Sequence, residues 1–183
     1  MLIFFIMNDN IIIEIKSNIQ TFRLPRYEEI TDVGLYLEQV VRFVNTYLNQ
    51  MGCAEITSSM VSNYVKQGTI PRPQKKAYSA DSIAYLVFVA VVKSVMPMED
   101  IRMLIQLQKD TYSLEQAYNY FCDEVENVLQ YIYGFKPEME HIGVTSTWKK
   151  DLLRNTIIAV GQQIYLNSYL NALHKVVCEA EDR

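Results

Sequence analysis

The densest set of side chains able to read another molecule lies between residues 56 and 80. Ser58, Ser59, Ser62, Asn63 and Lys66 recur on one side of a short periodic segment, with Val61, Tyr64 and Val65 on the other. Small hydroxyl and amide side chains let a helix approach the floor of a groove. Asn pairs bidentately with adenine, and Lys meets phosphate or guanine. Ser and Asn are poor interior helix formers, so their concentration here calls for a reason. Arg72, Lys75 and Lys76 follow, and Tyr78 closes the stretch. It holds four of the chain's 17 Lys and Arg and none of its 21 Asp and Glu, in a protein of net charge −4. A basic island on an acidic body suits a compact phosphate-facing surface. A solvated loop with chance lysines is the competing explanation, and charge by itself favours it.

Chemistry of other kinds finds little support. His141 and His174 lie in different segments, with no nearby Ser, Cys or carboxylate pattern that would make a relay. No glycine loop suited to cradling phosphate occurs. Glu28 and Glu29 are adjacent, so their side chains diverge, and a solvated turn explains them. Glu99 and Asp100 suit a helix N-terminus, where the dipole favours acids. Cys53, Cys122 and Cys178 are odd in number and widely spaced, without a CxxC motif, which points to a reducing cytoplasm and to no metal. The expectation is a non-enzyme without cofactor.

The elements that must position the basic island follow from periodicity and punctuation. At 183 residues, 50% hydrophobic and 21% charged, with 6 Gly and 5 Pro, the chain reads as globular and mainly helical. Thr31 or Asp32 caps a helix carrying Val33, Leu37, Val40, Val41, Val44, Tyr47 and Leu48, which stops near Gly52. Thr57 caps a short helix running to about Gln67, with Gly68 at its end. Thr69 to Pro73, with two prolines, is extended, and residues 74–78 form a short basic extended segment. Ser79 caps a helix whose residues 83–92 are all apolar, hence buried on most sides. Pro97 precedes a helix over 98–109, Ser113 caps another that Gly134 closes, and a last helix runs over about 145–177. Residues 2–7 and 11–13 are apolar runs too short to span a membrane. They flank a polar Asn8-Asp9-Asn10 turn, and could pair as a hairpin; alternatively Met7 is the true start.

The order of helix, turn, short capped helix, extended stretch, basic ribbon and apolar helix is that of a helix-turn-helix followed by a wing. The segment from Thr57 to Pro73 resembles the recognition helix and exit of MerR-type regulators in its Tyr64, Gly68, Ile70 and Pro71. Ala77-Tyr78-Ser79-Ala80-Asp81 resembles that family's wing and helix start, and Met98-Glu99-Asp100-Ile101 its next segment. The resemblance covers residues 57–108 and implies DNA binding, with a dimerising helix after the DNA-binding part. Four positions depart from the pattern. Ser62 stands where those helices usually carry Arg, Asn63 where they carry a second Tyr, Lys76 where their wing carries Arg, and Pro97 where the family has a Ser or Thr cap. Over residues 24–107 the chain also resembles an uncharacterised family of Gram-positive bacterial proteins with Leu-Pro-Arg-Tyr-Glu-Glu-Ile before the helix-turn-helix, as at 24–30 here.

The resulting expectation is an all-α, mainly helical fold with a small wing. It comprises a leader over 1–23 with possible short strands, a winged helix-turn-helix over 24–110 and a helical dimerisation or sensing region over 111–183. Its function would be sequence-specific binding of double-stranded DNA as a cytoplasmic transcriptional regulator. Ser58, Ser59, Ser62, Asn63, Lys66, Arg72, Lys75, Lys76 and Tyr78 would form the contact surface. The C-terminal helices would either make a homodimer or fold back as an intramolecular hairpin, and their many aromatics would line a core or a small-molecule effector pocket. The alternative is a protein-interaction module on the same scaffold, without DNA and without catalysis.

Overall fold

The computed structural model describes residues 9–30, 33–143 and 146–181, and within them the chain is mainly helical. Helix α2 (Leu37–Met51) forms because Val40, Val44, Leu48 and Met51 recur at helical spacing, and all four are buried. It begins later than the sequence suggests. Thr31 and Asp32 lie outside the described residues, Val33 is exposed, and Leu35–Tyr36 form strand β1. The N-cap is Tyr36, whose backbone N–H donates to the Gln39 side chain at 2.9 Å. Gly34 sits at φ +77°, where a Cβ would stand 3.1 Å from the carbonyl oxygen of Tyr78. Only glycine lets the two backbones meet there. Gly52, also left-handed, ends the helix.

Helix α3 (Ser58–Lys66) is capped by Thr57, whose hydroxyl accepts the Met60 N–H at 3.2 Å. Strand β2 (Ala77–Tyr78) pairs antiparallel with β1, placing Leu35 opposite Tyr78 and Tyr36 opposite Ala77. Helix α4 (Ala80–Val92), capped by Ser79, is buried along nearly its whole length and forms the centre of the molecule. Helices α5 (Met98–Lys109), α6 (Leu114–Ile132) and α7 (Trp148–Glu181) follow, the first behind Pro97 and the second capped by Ser113. The hydrophobic core runs without a break from Ile19 to Ile164, so it crosses the expected boundary at residue 110.

Two expectations are corrected. Helix α1 (Asp9–Gln20) includes residues 11–13, so no hairpin strand forms there; residues 2–7 lie outside the described residues. Ile15 and Ile19, four apart, pack onto the core where α1 meets α2, α6 and α7, and this burial favours helix over an isolated hairpin. Nor do α6 and α7 make a hairpin. Lys150 meets Tyr120, Arg154 meets Glu124, and Tyr133 meets Ser168, so both numbers rise together and the helices run parallel. Residues 134–143 travel back along α6, tied at Asn127 to the backbone of Glu140, so that Gly143 lies beside Tyr120. Ten residues reach about 33 Å when extended, against a rise of about 28 Å for the 19 residues of α6.

Residues 23–30 form a strap across α6. Arg26 lies between Asp123 (2.8 Å) and Glu126 (2.6 Å), and also donates to the carbonyl of Leu24. The Tyr27 N–H donates to Asn119, whose amide in turn donates to Glu28. Glu126 holds the Arg26 guanidinium firmly protonated. Deeper in, the fully buried Glu124 accepts from Arg154 at 3.1 Å and from the Tyr120 hydroxyl at 2.7 Å.

Candidate functional site

Helix α3 packs on the scaffold through Val61 and Tyr64, with Met60 and Val65 half-buried beside them. Ser59, Ser62, Asn63 and Lys66 are exposed together on its other side. Asn63 accepts a long 3.4 Å hydrogen bond from Gln67 and keeps its amide N–H groups toward solvent, while Ser62 donates into its own helix at the Ser58 carbonyl, 2.8 Å away. Ser58 differs from the other three. It is half-buried, and its hydroxyl donates to the Glu38 carboxylate of α2 at 2.8 Å, so that side chain already has an acidic partner at the start of the helix.

The basic ribbon is a turn, where an extended segment was expected. Gln74 and Ala77 exchange backbone hydrogen bonds of 2.9 and 2.8 Å. Lys75 (φ +47°) and Lys76 (φ +70°) fill the two corner positions between them. Two successive residues at positive φ define a type I′ hairpin turn, which favours Asn-Gly or Asp-Gly; an L side chain in that region costs about 1–2 kcal/mol. Holding two lysines at these corners is locally strained, and both are exposed at the hairpin tip. Arg72 is exposed between the two prolines. Among the described residues, none of Lys66, Arg72, Lys75 and Lys76 stands in an ion pair.

Tyr78 falls outside this surface. It is 5% exposed, part of the core beside β1, and burial pushes its hydroxyl above the usual tyrosine range. Its alternation with Ala77 along β2 turns it inward, the opposite of a backbone contact. Arg102, conversely, escapes a reading based on the island alone. It projects from α5 and donates to Gln67 at 3.4 Å, which adds a cation at the end of α3. Its place on the polar side of an amphipathic helix was legible, but its neighbour 35 residues away was not.

Among the described residues, no group of three or more His, Cys, Asp or Glu stands close enough to hold a metal ion, and no helix is long and apolar enough to cross a membrane. The arrangement can offer a partner hydrogen-bond donors and acceptors on α3, flanked by exposed cations. The fold and this face define a mainly helical protein with a cationic, hydrogen-bonding surface on an acidic body. Residues 25–121 match the family described as Domain of unknown function (DUF1836), and the chain belongs to that family. No curated protein and no solved structure matches it.

Proposed function

We propose that the chain is a sequence-specific DNA-binding regulator of transcription, built as a winged helix-turn-helix similar to that of MerR-type regulators. In this reading α2 and α3 form the helix-turn-helix, and the β1–β2 pair with its lysine tip forms the wing. One observation carries it: α3 buries Val61 and Tyr64 while Ser59, Ser62, Asn63 and Lys66 remain exposed side by side. A helix with that face fits a major groove, where Asn63 reads adenine and Lys66 meets phosphate or guanine. Lys75, Lys76 and Arg102 then contact the backbone and fix register without reading sequence.

Selection of bound fragments from genomic DNA tests the reading. The parent enriches a common sequence, and Asn63→Ala still binds but loses discrimination at one base pair, by about 1–3 kcal/mol. Enrichment without any shared sequence overturns it.

A homodimer fits the same proposal, since a two-fold operator needs two copies. Leu166, Leu170 and Val177 are exposed along α7 at four- and seven-residue spacing, a stripe a second α7 would cover. Sedimentation then gives a dimer for the parent and a monomer for Leu170→Glu. The reading places the protein in the cytoplasm.

The Ser58–Glu38 contact favours a second reading, in which α3 docks a protein. A carboxylate beside the start of the helix repels phosphate but suits a basic peptide. An electrophoretic shift with random genomic fragments at low salt separates the two: no shift favours the protein partner.

A further inference from the structure

Between α4, α5, α6 and the first turn of α7 lies a cavity of about 360 Å³, far from the exposed face of α3 in sequence and built from different residues. Its size falls at the lower end of the range of small-molecule sites, roughly 300–1,000 Å³. The walls are apolar and largely aromatic: Phe88 of α4, Ile105 of α5, and Tyr118 and Phe121 of α6 line it, with Leu153 from α7. Some polar groups on the wall are engaged with one another, while the buried Tyr118 hydroxyl has no hydrogen-bond partner among the described residues. Gln108 accepts from the Tyr85 hydroxyl at 3.0 Å and donates to the Tyr112 carbonyl at 2.8 Å.

Charge at this cavity has one sign. Lys149 and Lys150 line it, and no lining residue is acidic. Lys149 donates to the Thr111 hydroxyl at 2.6 Å, and among the described residues it forms no ion pair. The starts of two long helices also face the space. Leu114 and Ala117 belong to the first turn of α6, Lys149 and Lys150 to the first turn of α7, and helix N-termini carry partial positive charge. An apolar chamber with cations at one side selects a molecule with a compact apolar body and a single anionic head.

We infer that this cavity is a binding site for small amphipathic carboxylates, with the body between Phe88, Tyr118 and Phe121 and the carboxylate on Lys149. Neutral amphiphiles lack the ion pair, cationic ones meet repulsion, and short acids such as acetate lack the apolar burial. The site stands on the cavity alone and holds whether or not the protein binds DNA.

Trp148 is the only tryptophan of the chain, and its ring lies 5.9 Å from the Lys149 ammonium. Its emission follows changes at the Lys149 ammonium on the rim, and calorimetry gives occupancy and affinity. Octanoate and naphthoate are the probes, with octanol, octylammonium and acetate as comparators. At least one of the two carboxylates saturates at one site per chain and changes Trp148 emission, while the matching comparators bind roughly tenfold or more weakly. Ala117→Phe, which fills the chamber, abolishes binding. Lys149→Gln, a half-buried position at the rim, keeps the fold and weakens the carboxylate roughly tenfold without changing octanol, so it decides the matter if Ala117→Phe does not fold. Saturable binding of neither carboxylate, equal affinity for octanol and octanoate, or unchanged affinity in Lys149→Gln overturns the assignment.

Discussion

Residues 23–30 with the polar side of α6, and residues 58–78, are both rich in charged and amide side chains, yet they use them oppositely. In the first region nearly every such group is tied inward. Arg26 sits between Asp123 and Glu126, Asn119 bridges Tyr27 and Glu28, and Glu124 is fully buried against Arg154 and Tyr120. In the second, Lys66, Arg72, Lys75 and Lys76 are exposed without ion pairs among the described residues, and two of them occupy strained corners. Partnered polar groups hold elements distant in sequence together. Groups left facing water at a conformational cost do not hold the fold together, and in the proposed reading a partner molecule accounts for them. The comparison therefore separates polar residues that make the fold from those available for function.

Substitutions that remove a partner from the first region break the comparison most severely. Arg154→Ala leaves the Glu124 carboxylate buried without its cation and should cost about 3–5 kcal/mol in urea unfolding. Arg26→Ala, whose acidic partners Asp123 and Glu126 are more open than Glu124, should cost about 2–3 kcal/mol by the same measurement. Lys66→Ala is the counterpart and stays within about 0.5 kcal/mol of the parent. A loss at Lys66 equal to that at Arg26 would mean that both regions serve the fold.

Replacing Lys75 and Lys76 together by Asn and Gly sharpens the contrast, because that pair suits the turn. The change should raise stability by about 1 kcal/mol while weakening the proposed DNA binding. A variant that is both less stable and unimpaired in binding contradicts the assignment of strain to function.

Burial also divides the thiols. Burial pushes Cys53 up to about 11 and Cys122 up to about 12, so both stay protonated and slow toward a maleimide at neutral pH, while the exposed Cys178 reacts. One fast thiol is expected, and none in Cys178→Ser. A thiol whose folded pKa is raised favours the native state fully below its unfolded value, about 8.5, and that contribution is lost as pH rises through the folded values. Stability should thus decline on the alkaline side as pH climbs from about 9 toward 11.

Much of the local architecture was legible in the sequence, because caps and breakers act over three or four residues. Thr57, Ser79 and Ser113 each cap the helix expected of them, Pro97 precedes α5, and Gly52, Gly68 and Gly134 all adopt positive φ at helix ends. The exposed face of α3 follows from the same periodicity. What escaped was set by contacts between distant residues. The parallel course of α6 and α7 depends on a returning connection, and close packing at Gly161, where a Cβ would stand 2.7 Å from Ile132, gives no local signal. Glu38 meets Ser58 across 20 positions and Arg26 meets Glu126 across 100. Tyr78 looked available because it follows two lysines, yet the β1–β2 register turns it inward.

The central claim is that the exposed cations beside α3 meet nucleic-acid phosphates. Titrating salt against the affinity of the parent and of the Lys75→Ala, Lys76→Ala double variant for duplex DNA tests it most directly. The parent should lose affinity steeply, with a log–log slope of about −0.9 per phosphate contacted, and the double variant should have that slope reduced in magnitude by about two. No binding at low salt, or identical slopes for the two proteins, would contradict it.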